Sequence, residues 1–298
     1  MARRRVVLTG ATGYVSAQLL PEFRRRYDMV LLDVTQESRR GRLDDVIVTD
    51  LANPDLDAYR AHFKGADAIV HNAYAYDPAR ESDYEEQWLP REQRNEPFPS
   101  NMDGYQVERT NLDMAYHVLR LAVEEGIPRV VIASSNHAAD WYETKLHDGR
   151  MDVVAPDTLP LSDNLYGWAK ASYEHLGFVF ACGNFGRPVE SVFIRIGAPR
   201  PIDGPRREGE LVGYRRDLGA FVSPRDLTQL YVKSIEAPDI RNADGIPFQV
   251  FYGISANTRA FWSIANARQV IGYAPQDDSE VLFADDIRRL LVNPARKG

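Results

Sequence analysis

Thr9-Gly10-Ala11-Thr12-Gly13-Tyr14-Val15-Ser16 follows the apolar run Val6-Val7-Leu8 and opens a stretch with helical periodicity. Glycines in such a turn let the backbone fold tightly, so that a pyrophosphate can approach the N-terminus of the following helix. The strand before, the helix after and an acid at the end of the next strand make this turn a dinucleotide site rather than a chance glycine pair. Gly10, Thr12, Gly13, Tyr14 and Val15 are the candidate contacts, and Ser16 stands where the fingerprint usually has a third small residue, glycine. Asp33 ends the second strand about 20 residues further on, where a carboxylate can bind both ribose hydroxyls of NAD and repel the extra phosphate of NADP. Asp50-Leu51, closing the third strand, is expected to line the adenine pocket, and Asn72-Ala73, closing the fourth, faces the same crevice.

Working outward, the first half alternates β-rich runs with helical patterns, the signature of a parallel sheet with helical crossovers. Strands are expected at 6–8, 29–33, 46–48, 68–72, 130–133, 190–194 and 248–252. Helices are expected at 13–26, 55–63, 107–125, 165–183, 224–236 and 285–291. The fold class is α/β: a Rossmann-type doubly wound parallel sheet, residues 1–195, with a smaller C-terminal substrate-binding lobe, 196–298, that partly returns to the sheet. Residues 77–105, rich in Asp, Glu, Arg, Pro and Trp, lack steady periodicity. Unstructured connections longer than about 12–15 residues are usually functional lids or disordered segments; a solvated surface excursion is the alternative.

Hydrophobic residues form 44% and charged residues 27% of the 298, an ordinary globular balance. The formal charge of −7 argues against nucleic acid or an anionic membrane as partner. Cys182 is the only cysteine, which excludes an internal disulfide and suits a reducing cytoplasm. After Arg3-Arg4-Arg5 the apolar run is too short for a signal peptide or a membrane span. His62, His117, His147 and His175 show no paired ligand spacing, so no metal is expected. His71, at a strand end, reads as a hydrogen-bonded structural histidine.

The chemistry sits later. Tyr166 and Lys170 lie four apart on an expected helix, one face and one turn apart. A phenol titrates near pH ~10 and is a poor base at neutral pH. A neighbouring ammonium stabilises the phenolate and moves it toward the range a general base needs. Ser135, in Ala133-Ser134-Ser135-Asn136-His137 after the fifth strand, can hold the oxygen of the alcohol whose proton Tyr166 removes.

A glycine turn, an Asp-ended second strand, a strand-end Ser and Tyr-x-x-x-Lys together resemble the extended short-chain dehydrogenase/reductase superfamily, over essentially the whole chain. The resemblance implies Ser135 as the catalytic serine, Tyr166 as base, and Lys170 as the residue that tunes Tyr166 and binds the nicotinamide ribose. It implies Asn111 in a proton relay, with packing or capping as the alternative for that residue. Relatives in the superfamily pair through the helices of residues 107–125 and 165–183, which implies a homodimer.

Ser134-Ser135-Asn136-His137, Leu165–Lys170, Arg195-Ile196-Gly197, 252–258 and 272–278 further resemble uronate dehydrogenases, which oxidise the C1 hydroxyl of a hexuronic acid to a lactone with NAD. That implies Ser135, Asn136 and His137 on the sugar hydroxyls and Arg216 on the substrate carboxylate, its planar fork matching two oxygens. Arg215 leaves that assignment open by one residue. Three departures fall near the substrate: Tyr74 stands where the family has small residues, 77–105 has no counterpart, and the stretch between His137 and Tyr166 is longer. A sugar phosphate or a sulfonated sugar could use the same arginine. The other class to weigh is a nucleotide-sugar epimerase, for which residues after 195 are few; a non-catalytic dinucleotide sensor would be expected to lack Tyr166 or Lys170.

Overall fold

The computed structural model describes residues 3–76, 99–204 and 211–292. Strand β1 (Arg5–Thr9) enters α1 (Tyr14–Arg26) through the glycine turn, and β2 (Asp28–Asp33) follows. A small antiparallel hairpin, β3 (Glu37–Ser38) and β4 (Gly41–Arg42), precedes β5 (Val46–Val48) and β6 (Ala68–His71). Then come α2 (Pro99–Glu124), β7 (Arg129–Ser135), the short α3 (Glu143–His147), α4 (Leu165–Ala181) and β8 (Glu190–Ile196). After these lie α5 (Leu211–Ala220), α6 (Pro224–Glu236), β9 (Phe248–Gly253) and α7 (Ala265–Ile271).

Seven strands make one parallel sheet in the order β5-β2-β1-β6-β7-β8-β9. Successive side chains of a strand point to opposite faces. Val6, Leu8, Leu31, Val70 and Val131 therefore pack on one face with Leu19 and Phe23 of α1 and Leu227 and Leu230 of α6. Val7, Leu32, Ile69 and Val130 pack on the other with Val118 and Leu119 of α2 and Tyr173 and Phe180 of α4. Both faces are covered, which is why the strands read as unbroken apolar runs. Strand β9 extends the sheet beyond residue 195, and a satellite core of Ile202, Tyr214, Leu218, Phe221, Ile287 and Leu290 forms beside α5.

Because the strands are parallel, Thr9, Asp33, His71 and Ser135 all end at one edge of the sheet. The strand order reverses between β1 and β6, opening a crevice there.

Several expectations change. Residues 55–63 form two 3-10 turns, Leu56–Ala58 and Arg60–His62, broken at Tyr59, where φ is −136° and ψ −3°. The Tyr59 ring is buried and its hydroxyl donates to Asn53 O at 3.1 Å, which holds that residue out of a helix. Helix α2 begins at Pro99, so part of the stretch read as irregular is helical; proline is tolerated in a first turn because its missing N–H has no intrahelical partner there. The remainder, 77–98, lies outside the described residues. The expected last helix is shorter, Ala284–Ile287, and runs into a π turn, Arg288–Val292.

Candidate active site

Gly10 sits at φ 67°, and a Cβ there would lie 2.5 Å from Ala73 N. The turn thus crosses the chain leaving β6 with no space for a side chain. Asn72 is fixed from both sides: its Nδ2 donates to Ser16 Oγ at 3.1 Å and its Oδ1 accepts from Tyr231 OH at 3.0 Å. Ser16, in the place of the third glycine, acts here as a hydrogen-bond acceptor. Helix α1 starts at Gly13 with no side-chain cap and no acid in its first turn. Its amides are left to an anion, and the positive end of the helix dipole favours one.

The Asp33 carboxylate is oriented by the same turn. Its Oδ2 accepts from Thr12 N at 2.9 Å and Thr12 Oγ1 at 2.7 Å, and its Oδ1 from Val34 N at 2.7 Å. A carboxylate has about four acceptor positions, so this anchoring leaves capacity for ribose hydroxyls. Asp50 is exposed and its Oδ1 accepts from Ala52 N at 2.9 Å; the Leu51 side chain packs in the core. Tyr14 and Val15 lie on the first turn of α1, Tyr14 exposed with Arg39 over its ring. The turn, α1 and Asp33 fit a dinucleotide: NAD would lie with its diphosphate at the α1 N-terminus and its adenosine ribose on Asp33.

Ser135 ends β7, where its Oγ accepts from His137 N at 3.2 Å and starts the 3-10 run Asn136–Tyr142. Helix α4 is capped by Asn164, whose Oδ1 accepts from Gly167 N at 2.9 Å. The Asn164 Nδ2 donates to Asp140 Oδ2 at 2.8 Å, and His137 Nδ1 lies 3.0 Å from that same oxygen. A Cβ on Gly167 would meet His137 O at 2.2 Å, so α4 presses its first turn onto the segment carrying Ser135. That contact brings the Tyr166 and His137 rings to 5.8 Å.

Lys170 is buried, with Nζ donating to Ala133 O at 3.1 Å and lying 5.6, 5.1 and 4.7 Å from the ring centres of Tyr166, Tyr74 and Tyr173. Burial pushes its ammonium down to about 8, against the opposing pull of Glu108 and Glu174. One turn below, Glu174 holds Arg195 through two hydrogen bonds of 2.9 and 2.7 Å and accepts from Ser134 Oγ at 2.8 Å. Arg195 Nη1 donates to Tyr252 OH at 2.9 Å. This buried network ties α4 to β7, β8 and β9 and fixes the helix that carries Tyr166 and Lys170 against the sheet.

Not every expected residue is placed as the sequence suggests. The Asn111 amide latches Ala75: it accepts from Ala75 N at 2.6 Å and donates to Ala75 O at 3.1 Å, with a further bond to Val107 O. Those bonds give it a role in fixing the chain after β6. Tyr74 packs beside Tyr166, its ring edge-on at 5.7 Å and its hydroxyl donating to Glu108 Oε1 at 2.7 Å. Arg216 is buried and Arg215 is exposed, which separates the two arginines. With the Asn136 amide in the orientation that satisfies both neighbours, its Nδ2 donates to Ile196 O at 3.0 Å and its Oδ1 accepts from Arg216 Nη2 at 2.8 Å. Arg216 therefore borders the site through Asn136, the neighbour of Ser135. Its fork, however, grips an internal carboxylate: Nε and Nη2 donate to Glu143 Oε2 and Oε1 at 3.1 and 3.0 Å. Glu143, Asp140 and Glu174 escaped the sequence reading; Glu174, four residues beyond Lys170 and on the same helix face, offered the clearest signal. Among the described residues no His, Cys, Asp and Glu cluster is arranged to hold a metal.

No protein-family model matches the chain. It is 32% identical over 286 residues to an NAD-dependent glucose-6-phosphate dehydrogenase of Haloferax volcanii, covering 92% of this chain and 94% of that one. The chain belongs to the NAD-dependent sugar dehydrogenases of the extended short-chain dehydrogenase/reductase superfamily. A uronate dehydrogenase of Pseudomonas syringae pv. tomato is 29% identical over 94% of this chain and 84% of its own length. The crystal structure of uronate dehydrogenase from Agrobacterium tumefaciens superposes with a TM-score of 0.70 at 26% identity, covering 100% of this chain and 93% of that one. NAD is the cofactor of this sugar dehydrogenase, as Asp33 and the glycine turn led us to expect. No described helix is long and apolar enough to cross a membrane.

Proposed function

We propose that this dehydrogenase oxidises the C1 hydroxyl of a cyclic sugar to the lactone. Ser135 Oγ holds the C1 oxygen, and the Tyr166 phenolate accepts the hydroxyl proton. Lys170, an ammonium below pH of about 8, stabilises that phenolate and lies against the nicotinamide ribose. NAD, when bound, supplies the acceptor for the hydride leaving C1. The observation that carries the reading is the placement of Lys170 Nζ at 5.6 Å from the centre of the Tyr166 ring while it is pinned to Ala133 O, two residues before Ser135.

A hexuronic acid is the sugar that the sequence favours, with Asn136 and His137 on its hydroxyls, Tyr74 walling the pocket and Arg216 on its carboxylate. A sugar phosphate or sulfonated sugar would use the same guanidinium. A neutral aldose is the second reading, and the pairing of Arg216 with Glu143 favours it.

The test is incubation with NAD and a panel of aldoses, uronates, sugar phosphates, sulfonated sugars and nucleotide sugars, following absorbance of the reduced nicotinamide. Lactone formation from a free sugar supports the reading. Turnover of a nucleotide sugar alone, with NAD retained and no net reduction, overturns it in favour of an epimerase. For the assembly we propose a homodimer through α2 and α4, whose Tyr116, Trp168, Phe178 and Val179 are exposed; light scattering at the monomer mass would exclude it.

A further inference from the structure

Arg216 and Glu143 meet in the geometry with which an arginine grips a substrate carboxylate: two parallel N–H···O bonds of 3.1 and 3.0 Å. Both side chains are largely withdrawn from water, 10% and 18% exposed. The face of the guanidinium lies 5.6 Å from the centre of the Trp262 ring, and Nη1 is 3.8 Å from Asp217 Oδ1. Asp140, the partner of His137, is a further carboxylate whose charge acts on Arg216. Arginine stays protonated in proteins. Its one positive charge is therefore met by Glu143 and Asp217, with Asp140 adding more negative charge nearby.

Glu143 begins α3 directly after the run that carries Asn136 and His137, and it reaches Arg216, which in turn donates to Asn136 beside Ser135. Two of its acceptor positions are taken by Arg216; the rest of a carboxylate's roughly four can receive hydroxyl protons. A second carboxylate brought to this fork would have to displace Glu143, leaving a buried carboxylate unpaired, or lie beside it. Either arrangement is unfavourable in a desolvated site. A sugar that offers O–H groups at that end meets neither difficulty.

Resting on the C1-oxidation reading, we infer that Glu143 is a specificity-determining residue: it occupies the arginine fork from within and selects an aldose whose end remote from C1 carries hydroxyls rather than an anionic group.

The experiment compares kcat/KM with NAD for D-glucose, D-galactose and D-xylose against D-glucuronate, D-galacturonate and D-glucose 6-phosphate, in the wild type and in Glu143→Gln and Glu143→Asp. The expected wild type prefers the best neutral aldose over the best anionic sugar by at least tenfold. Glu143→Gln should narrow that ratio at least tenfold, mostly through a lower KM for the uronates, and Glu143→Asp should fall between. A wild type that prefers a uronate or the phosphate overturns the inference, as does a ratio that Glu143→Gln leaves unchanged. Should the glutamine variant not fold, the wild-type preference decides. Calorimetric binding of the same sugars to the NAD-loaded protein separates the two levels. If no free sugar is oxidised, C1 oxidation fails, while tighter binding of neutral than of anionic sugars, reversed in Glu143→Gln, still upholds the role of Glu143 and the opposite order removes it.

Discussion

Lys170 is anchored to the carbonyl of Ala133 at 3.1 Å and holds its ammonium 5.6 Å from the centre of the Tyr166 ring. One hydrogen bond thus registers helix α4 against strand β7 and sets the distance between Lys170 and the Tyr166 ring, the proposed base. Replacing Tyr166 with Phe keeps the ring contacts to Tyr74 and His137 and removes only the titrating hydroxyl. Turnover should fall by about 10²–10⁴-fold, the usual worth of a general base, with the Kd for NAD nearly unchanged. Stopped-flow turnover and calorimetry check the two halves; retained turnover excludes Tyr166 as the base.

Asp33 receives three hydrogen bonds, two of them from Thr12. Asp33→Asn removes the charge proposed to repel a ribose phosphate, so the expected preference in kcat/KM for NAD over NADP should shrink at least tenfold, about 1.4 kcal/mol. Steady-state kinetics with both cofactors decides it. An unaltered ratio would place the discrimination elsewhere.

The pair Glu174–Arg195 is 3% and 1% exposed. Removing one partner of a buried ion pair strands the other and costs about 3–5 kcal/mol, whereas exchanging both for apolar residues is often neutral. Glu174→Leu should therefore lower the urea midpoint strongly, and Glu174→Leu with Arg195→Met should recover much of the loss. Equal destabilisation by the single and double variants would contradict this account. Ser134 and Tyr252, which lose hydrogen-bond partners in the double variant, set the limit on recovery.

His71 is buried with its Nδ1 2.8 Å from Thr9 Oγ1, and burial, assisted by the Lys170 charge, pushes it down to about 3. The unfolded chain binds a proton near pH ~6.5 that the folded chain refuses. Stability from this group is complete above that pH and is lost as pH falls toward 3, at up to about 1.4 kcal/mol per pH unit. Melting curves between pH 4 and 7 (roughly the window this linkage spans) should be steeper for the wild type than for His71→Gln. Matching slopes would show that His71 is not the group responsible.

Much of this molecule was legible from local pattern. The glycine turn, Asp33 and the apolar runs placed β1, β2, β5 and β6 within a residue or so; β1, β2 and β6 are buried between the two helical layers and read as apolar runs for that reason, whereas Ile47 and Val48 of the edge strand β5 are exposed. The Asp55–Phe63 segment misled because the spacing suits a helix, while the burial of the Tyr59 ring, a tertiary preference, breaks it into two turns. Helix α5 went unread: Leu211, Tyr214 and Leu218 have helical spacing, but Gly213, Gly219 and the charged run Arg215-Arg216-Asp217 interrupt the signal. At the site, residue types and spacing singled out Ser135, Tyr166 and Lys170, which the fold brings to the same end of the sheet. They could not show what Arg216 and Asn111 touch, because Glu143 and Ala75 reach them only through the folded topology.

The hydrogen bonds between Arg216 and Glu143 close a separation of 73 residues, and the bridge of Val154 with Trp262 binds the same wall from a still more distant part of the chain. Closing such loops costs chain entropy before any contact rewards it, so this wall assembles late, after the local helices and the first strands. During refolding from urea, sugar turnover should therefore return more slowly than the far-ultraviolet signal of the helices. A kinetic species that already binds NAD at the glycine turn, yet discriminates poorly among sugars, is the expected intermediate; simultaneous recovery of structure and selectivity would contradict that order.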